Sequence, residues 1–222
     1  QFAAVVPFIR IGLERGERCV YVVDDNTAAA VVGAIVARGT DVGGAMRSGR
    51  LAILNKQDAY LKQGYFDPDW MIAFLARALD DAKGAGFPAL RVTGEMTWVL
   101  GGEAGTHRLM ECEAKLNYFF LEHDALAICQ YNYGRFQPQV IGDVISTHPL
   151  VIFGNTVCRN YHYVSPDDFL GLREPESDIA RLLDGIRRNE VLEQSLRESE
   201  ERFKDVFESV NVGMSITRPG GD

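Results

Sequence analysis

The segment Arg18-Cys-Val-Tyr-Val-Val-Asp-Asp25 constrains this chain more than any other. Its middle is β-branched and aromatic with little polar alternation, the pattern of a strand covered on both faces. Strands buried in this way are characteristically parallel, and parallel strands need long crossover connections, usually helices. The first 170 residues supply them. Val5, Val6, Ile9 and Leu13 recur at helical spacing, and Gly16 closes that helix. Thr27 caps a second helix over about 28–38, and Leu51 to Leu54 reads as a short strand. Asp67-Pro68 opens a long helix through Met71, Phe74, Leu75, Ala78 and Leu79, ended by the Gly84/Gly86 turn. Strands at 89–94, 125–131 and 150–153 then alternate with helices at 106–120 and 139–147. The expected fold is a three-layer α/β domain over 1–171 with a mainly parallel sheet, which places ligands beyond the carboxyl ends of its strands.

Composition narrows the partners. The chain has 222 residues, 46% hydrophobic and 24% charged, ample for a real core. Lys and Arg number 23 against 31 Asp and Glu, a net charge of −8, which argues against a nucleic-acid or anionic-lipid binder. The apolar run from Ala28 to Ala37 is too short to span a bilayer, and no signal-peptide order opens the chain. The cysteines at 19, 112, 129 and 158 form no CxxC, against both a zinc ribbon and a disulfide scaffold, so a cytoplasmic location is expected. Gln1 at one end and Pro219-Gly-Gly-Asp222 at the other read as the limits of a piece of something longer.

From Glu174 to Glu208 the sequence changes character. Charge density rises, and Ile179, Leu182, Leu183, Ile186, Leu192, Leu196 and Phe203 form a broken heptad stripe with Asn189 near its seam. A stripe so narrow needs a partner surface. One reading is a helix folded back on its own domain; the sharper one is a single helix over 176–208 that dimerises in parallel.

The strand ends carry Asp24-Asp25-Asn26, Thr93-Gly94-Glu95-Met96-Thr97-Trp98, Cys129-Gln130-Tyr131-Asn132 and Gly154-Asn155. Acids, amides, aromatics and a thiol converge there, and the expected ligand site comprises Asp25, Glu95, Trp98, Cys129, Tyr131 and His148. Trp98 and Tyr131 would supply walls for a small organic ligand, and Asp25 and Glu95 its orientation. Each has a plainer reading: Glu95 as a turn carboxylate, Trp98 as a core lid, Cys129 and His148 as packing groups. Neither GxxxxGK[ST] nor GxGxxG occurs, and no GxSxG elbow, so nothing marks a phosphate cradle or a serine hydrolase. Cys129, Cys158 and His148 are the nearest approach to a metal or redox set, at spacings that fit no standard finger.

The series VVPFIRIGLERGERCVYVVDDNT, RVTGEMTW, ECEAKLN, CQYN and THPLVIFGNTVCRNYHYVSPDDFL resembles the MEDS domain, the methanogen/methylotroph DcmR-type sensory domain, over about residues 1–171. The resemblance implies a sensory module with a RecA/KaiC-like fold that binds a small molecule, a hydrocarbon derivative being the proposed kind. Members begin with a further strand and a loop bearing a His and a Cys, a segment this chain lacks. By the RecA analogy that strand would be central, and part of the pocket would lie on it. The stretch Leu196 to Thr217, with ERFKDVFE before MSIT, resembles the opening of a PAS domain.

Together these imply a sensory domain at 1–171, a coiled-coil connector at 172–200 and the start of a PAS domain at 201–222. That is the order found in bacterial sensor histidine kinases, with kinase modules and a response regulator as downstream partners. The fragment itself is expected to be non-enzymatic, and no cofactor is indicated. The rivals are a RecA/KaiC-like ATPase module, with Glu95 as general base or metal carboxylate, and a Cys/His redox or metal sensor.

Overall fold

The structure, a computed structural model, describes residues 2–154, 156–171 and 176–209, the side chains of 176–178, 180–182 and 203–209 excepted. The chain divides into two units, Gln1–Arg173 and Glu174–Asp222.

The first unit begins with α1 (Phe2–Glu14), β1 (Arg18–Val23), α2 (Ala28–Val36), α3 (Val42–Arg47), β2 (Leu51–Asn55) and α4 (Pro68–Gly84). It continues with β3 (Leu90–Glu95), α5 (Leu109–Glu122), β4 (Ala125–Gln130), α6 (Pro138–Ser146), β5 (Leu150–Phe153), β6 (Thr156–Arg159) and the short α7 (Pro166–Phe169). The boundaries follow local chemistry. Thr27 Oγ1 accepts the Ala30 N–H at 3.2 Å to start α2. The Asp67 carboxylate accepts the N–H groups of Asp69 and Trp70 to start α4, with Pro68 in its first turn.

β2, β1, β3 and β4 form one sheet in that order, every neighbouring pair parallel. Alternation along β1 separates the layers. Cys19 and Tyr21 pack with Val6 and Ile9 of α1 and Val31 and Ile35 of α2. Val20 and Val22 face the other way, into a core with Leu75 and Leu79 of α4 and Cys112 and Phe119 of α5. Helices on both faces of a parallel sheet make the three-layer α/β domain that the buried run in β1 predicts.

The α1 face is unusually close. A Cβ at Gly12 would lie 2.4 Å from Cδ of Arg91 and 2.7 Å from Sγ of Cys19, so only glycine admits this approach. Arg91 is buried, pairs with the equally buried Glu17, and holds its guanidinium carbon 4.9 Å from the centroid of the Phe8 ring. Burial pushes the Cys19 thiol up to about 12, so this cysteine acts as a small apolar group.

Two features differ from expectation. Residues 150–153 are a strand, but β5 pairs antiparallel with β6 in a separate two-stranded ladder instead of joining the parallel sheet. Gly154, at φ 62°, supplies the left-handed turn residue of that hairpin. The exposure of Leu150 and Phe153 suits a hairpin better than a doubly covered strand. The helix expected at 106–120 opens as a 3-10 turn, Thr106–Arg108, before α5. β3 bonds directly to β4 from Leu90↔Ala125 to Glu95↔Gln130.

In the second unit α8 (Glu176–Ser209) is one helix of 34 residues. At about 1.5 Å per residue it extends some 50 Å. Ile179, Leu183, Ile186, Leu192 and Leu196 are exposed along it, while the side chains of Leu182 and Phe203 lie outside the described residues. So does the segment 214–217 on which the expected PAS strand falls, and so does Asn155.

Candidate functional site

The carboxyl ends of β1, β3 and β4 present two buried carboxylates with different surroundings. Glu95 ends β3. Its Oε1 accepts the Tyr21 hydroxyl at 2.8 Å and the Asn26 side-chain amide at 2.9 Å. Its Oε2 accepts the backbone N–H groups of Asp24 at 3.1 Å and Asn26 at 2.9 Å. An ionised carboxylate has about four acceptor sites, and here all four are used. Glu95 therefore clamps the β1–α2 loop. Burial foremost, with Glu95 adding to it, raises the Tyr21 phenol and keeps it a donor. Nearby, Asp24 accepts the Thr97 hydroxyl at 2.8 Å and pairs with Lys56 at 3.0 Å. Gln130 donates to Thr93 Oγ1 at 2.9 Å, and that hydroxyl donates to the Ile128 carbonyl.

Glu113 is the second carboxylate, 2% exposed on the sheet-facing side of α5. Leu109, Cys112 and Leu116 share that stripe, at helical spacing around it. Its Oε1 accepts the Tyr131 hydroxyl. Its Oε2 faces the Cys129 thiol at 3.5 Å and Nε2 of His148, also at 3.5 Å. His148 is fixed from behind, where Nδ1 lies 2.8 Å from the Val144 carbonyl. Asn117, one turn after Glu113, donates to the Thr147 carbonyl at 2.9 Å and ties α5 to the end of α6. Burial, then the Glu113 charge, push Cys129 and Tyr131 well above their ordinary ranges, so both are protonated donors to that carboxylate.

A cavity of about 40 Å³ adjoins this cluster between the sheet and helices α4 and α5. Tyr60, Met71, Val92, Cys112, Glu113 and Cys129 are among its walls. Its lining is overwhelmingly apolar, Glu113 being its charged group. The Tyr60 hydroxyl lies so close above β3 that a Cβ on Gly94 would stand 1.6 Å from it. The glycine of Thr93-Gly-Glu95 is thus required by a tyrosine 34 positions upstream.

The six expected site residues separate. Cys129, Tyr131 and His148 meet, on Glu113. Glu95 belongs to the neighbouring clamp. Trp98 is 1% exposed, stacked on Tyr60 at 4.9 Å between centroids and set against Phe66 at 5.1 Å, so it backs the cavity wall. Its Nε1 is buried with no hydrogen-bond partner among the described residues. Asp25 points outward and pairs with Arg135 at 2.5 and 2.6 Å. Cys158, grouped above with Cys129 and His148, is exposed on β6, and Glu113 takes its place in the cluster. Glu113 and Tyr60 were missed. For Glu113 the signal was a lone carboxylate in an otherwise apolar helical stripe; Tyr60 sits in an irregular connection and gave none.

Fold and site define an α/β domain with a small apolar cavity beside its parallel sheet, bordered by one buried polar cluster. The chain belongs to the MEDS family, the methanogen/methylotroph, DcmR sensory domain, which matches residues 1–149. Its family role is sensory, in signalling. No match was found among curated proteins. Among the described residues no helix is long and apolar enough to cross a membrane.

Proposed function

We propose that this chain is the small-molecule-sensing input region of a cytoplasmic two-component signalling protein, a sensor histidine kinase. Its ligand is a compact, weakly polar molecule of the hydrocarbon-derivative kind, held in the cavity beside Glu113. The observation that carries this is the cavity itself: about 40 Å³, walled by apolar side chains and two thiols, with one carboxylate at its edge. A void that size is several times the minimum for a single water, and its lining disfavours ions. Of the residues proposed from sequence, Cys129 lines the space, Tyr131 and His148 hold Glu113, and Trp98 supports the wall, while Glu95 and Asp25 lie outside it. Binding favours one arrangement of the polar cluster, and the difference passes to α8 and on to PAS and kinase modules.

Thermal unfolding with one- and two-carbon halogenated or methylated compounds tests the cavity. A ligand at about 100 times its Kd stabilises by about 2.7 kcal/mol, a rise of roughly 5–10 °C for a domain this size. Cys112→Met, which fills the space from its wall, should abolish the rise while the variant still melts cooperatively. A panel that leaves the wild-type midpoint unmoved refutes the reading.

The same proposal makes α8 a parallel dimeric connector, because its exposed Ile179, Leu183, Ile186, Leu192 and Leu196 need cover. Sedimentation of residues 1–222 and 1–175 should give a dimer and a monomer. A monomer in both cases removes the dimer.

A further inference from the structure

Three potential metal-binding side chains converge at Glu113. One ligand atom from each of Glu113, Cys129 and His148 lies within 4.8 Å of the other two. The Glu113–Cys129 and Glu113–His148 separations are both 3.5 Å. A tetrahedral ion bound through O, S and N has ligand-to-ligand edges of about 3.3–3.6 Å. Two edges are already at that length, and the third, Cys129 to His148, is no longer than 4.8 Å.

Hydrogen bonding provides an independent argument. Nδ1 of His148 is engaged by the Val144 carbonyl at 2.8 Å and lies 3.1 Å from the Thr147 hydroxyl, and the other ring nitrogen, Nε2, is the one that faces Glu113 Oε2. The backing of His148 by a main-chain carbonyl, and of Glu113 Oε1 by the Tyr131 hydroxyl, is the outer support that orients metal ligands.

We propose that Glu113, Cys129 and His148 form a binding site for one borderline-soft divalent cation of the zinc type. Cys129 binds as thiolate, its proton leaving to solvent, and Glu113 and neutral His148 bind through Oε2 and Nε2. Three protein ligands leave the fourth position of a tetrahedral ion for water or an exogenous group. Glu113 and Cys129 both line the cavity, so an occupant there is within reach of that position. His148, 26% exposed in its side chain, gives the ion a way in. Tyr131 is a positioning residue. The site stands whether or not the cavity takes an organic ligand.

The test uses the full chain without a histidine tag, stripped with chelator and titrated with Co²⁺, whose thiolate charge-transfer band reports sulfur ligation. One equivalent of Co²⁺ per chain should produce that band, and Zn²⁺ should displace it. Cys129→Ser should remove the band, and His148→Ala should weaken binding by at least tenfold. Cys158→Ser, on the exposed hairpin, should change neither. Tyr131→Phe should retain the band with weaker affinity, as expected of a residue that orients a ligand. Wild-type chain that yields no charge-transfer band at stoichiometric Co²⁺ overturns the site, whatever the variants do. So does a band that survives Cys129→Ser or vanishes with Cys158→Ser. Organic-ligand binding that persists after chelation leaves the sensing proposal intact while a failed titration removes the metal.

Discussion

Replacing Glu95 by Gln changes one oxygen to an amide nitrogen and leaves the shape nearly constant. The side chain then has one acceptor oxygen for four donors. Its best placement keeps the carbonyl on the N–H groups of Asp24 and Asn26, turning the new NH₂ toward Tyr21 and the Asn26 amide. Tyr21 has an escape, since Gln130 Oε1 lies 3.3 Å from its hydroxyl, and it can accept from the new amide. The Asn26 amide loses its bond to Glu95. Hydrogen bonds to charged groups contribute about 1.5–3 kcal/mol each, and neutral ones about 1. One charge-assisted bond lost and two reduced to neutral strength give a destabilisation of about 2.5–7 kcal/mol. Glu95→Ala, which removes the shared acceptor from all four bonds, should destabilise more than Glu95→Gln. Urea unfolding followed by circular dichroism measures both, with an unchanged slope marking a pure stability effect. A Glu95→Gln chain within 1 kcal/mol of wild type, but deaf to a ligand that wild type binds, would refute the clamp and return Glu95 to the site.

Gly94→Ala should destabilise by at least about 2 kcal/mol, because its methyl would meet the Tyr60 hydroxyl at 1.6 Å. Adding Tyr60→Phe should recover only part of this, since Cζ would still be 2.9 Å away; strictly additive midpoints in denaturant would show that the two do not touch. Arg91→Ala should lose about 3–5 kcal/mol by stranding buried Glu17, whereas Arg91→Met with Glu17→Gln should lose far less, measured by the same unfolding. Glu111 is held down to about 2 from an ordinary 4.5, chiefly by hydrogen bonds from Arg108 and then Lys115. Its folded value being depressed, this contribution is fully present above about 4.5 and is lost as pH falls toward 2. Its partly exposed position limits the effect to about 1 kcal/mol, so Glu111→Gln should flatten the acid limb of stability against pH by that amount.

The parts of the fold legible in the sequence are those where one local force decides the outcome. The run Cys19 to Val22 could only be a doubly covered strand, and Asp67-Pro68 could only begin a helix. Residues 150–153 mislead because a short apolar run reads the same in a parallel sheet and in a hairpin. The difference lies in Gly154 and the partner strand beyond it. α3 escaped notice because its six residues include two glycines and owe their start to the Gly44 N–H donating to the Asp41 carboxylate at 2.8 Å. In the site, Cys129 and Tyr131 were nameable because a parallel sheet collects functional groups at its carboxyl ends, whereas His148 enters from the turn between α6 and β5. Glu113 reaches the same point from a helix. Its partners are set by the packing of α5 on β4, which no local pattern encodes.

The place of β1 in the sheet also has a consequence for the order of assembly. β1 pairs with β2 through Cys19↔Leu51, but its other edge pairs with β3 through Arg18↔Leu90, far along the chain. During synthesis at about 5–20 residues per second, β1 and β2 exist for several seconds before β3 emerges. In that interval one edge of β1 is open, and Glu17 waits for the arginine that will neutralise it. Non-local pairing of this kind slows folding and prolongs the exposure of an apolar strand. The nascent chain should therefore depend most on chaperones while residues 51 to 95 are being made, and a translational pause placed just after β3 should raise its soluble yield.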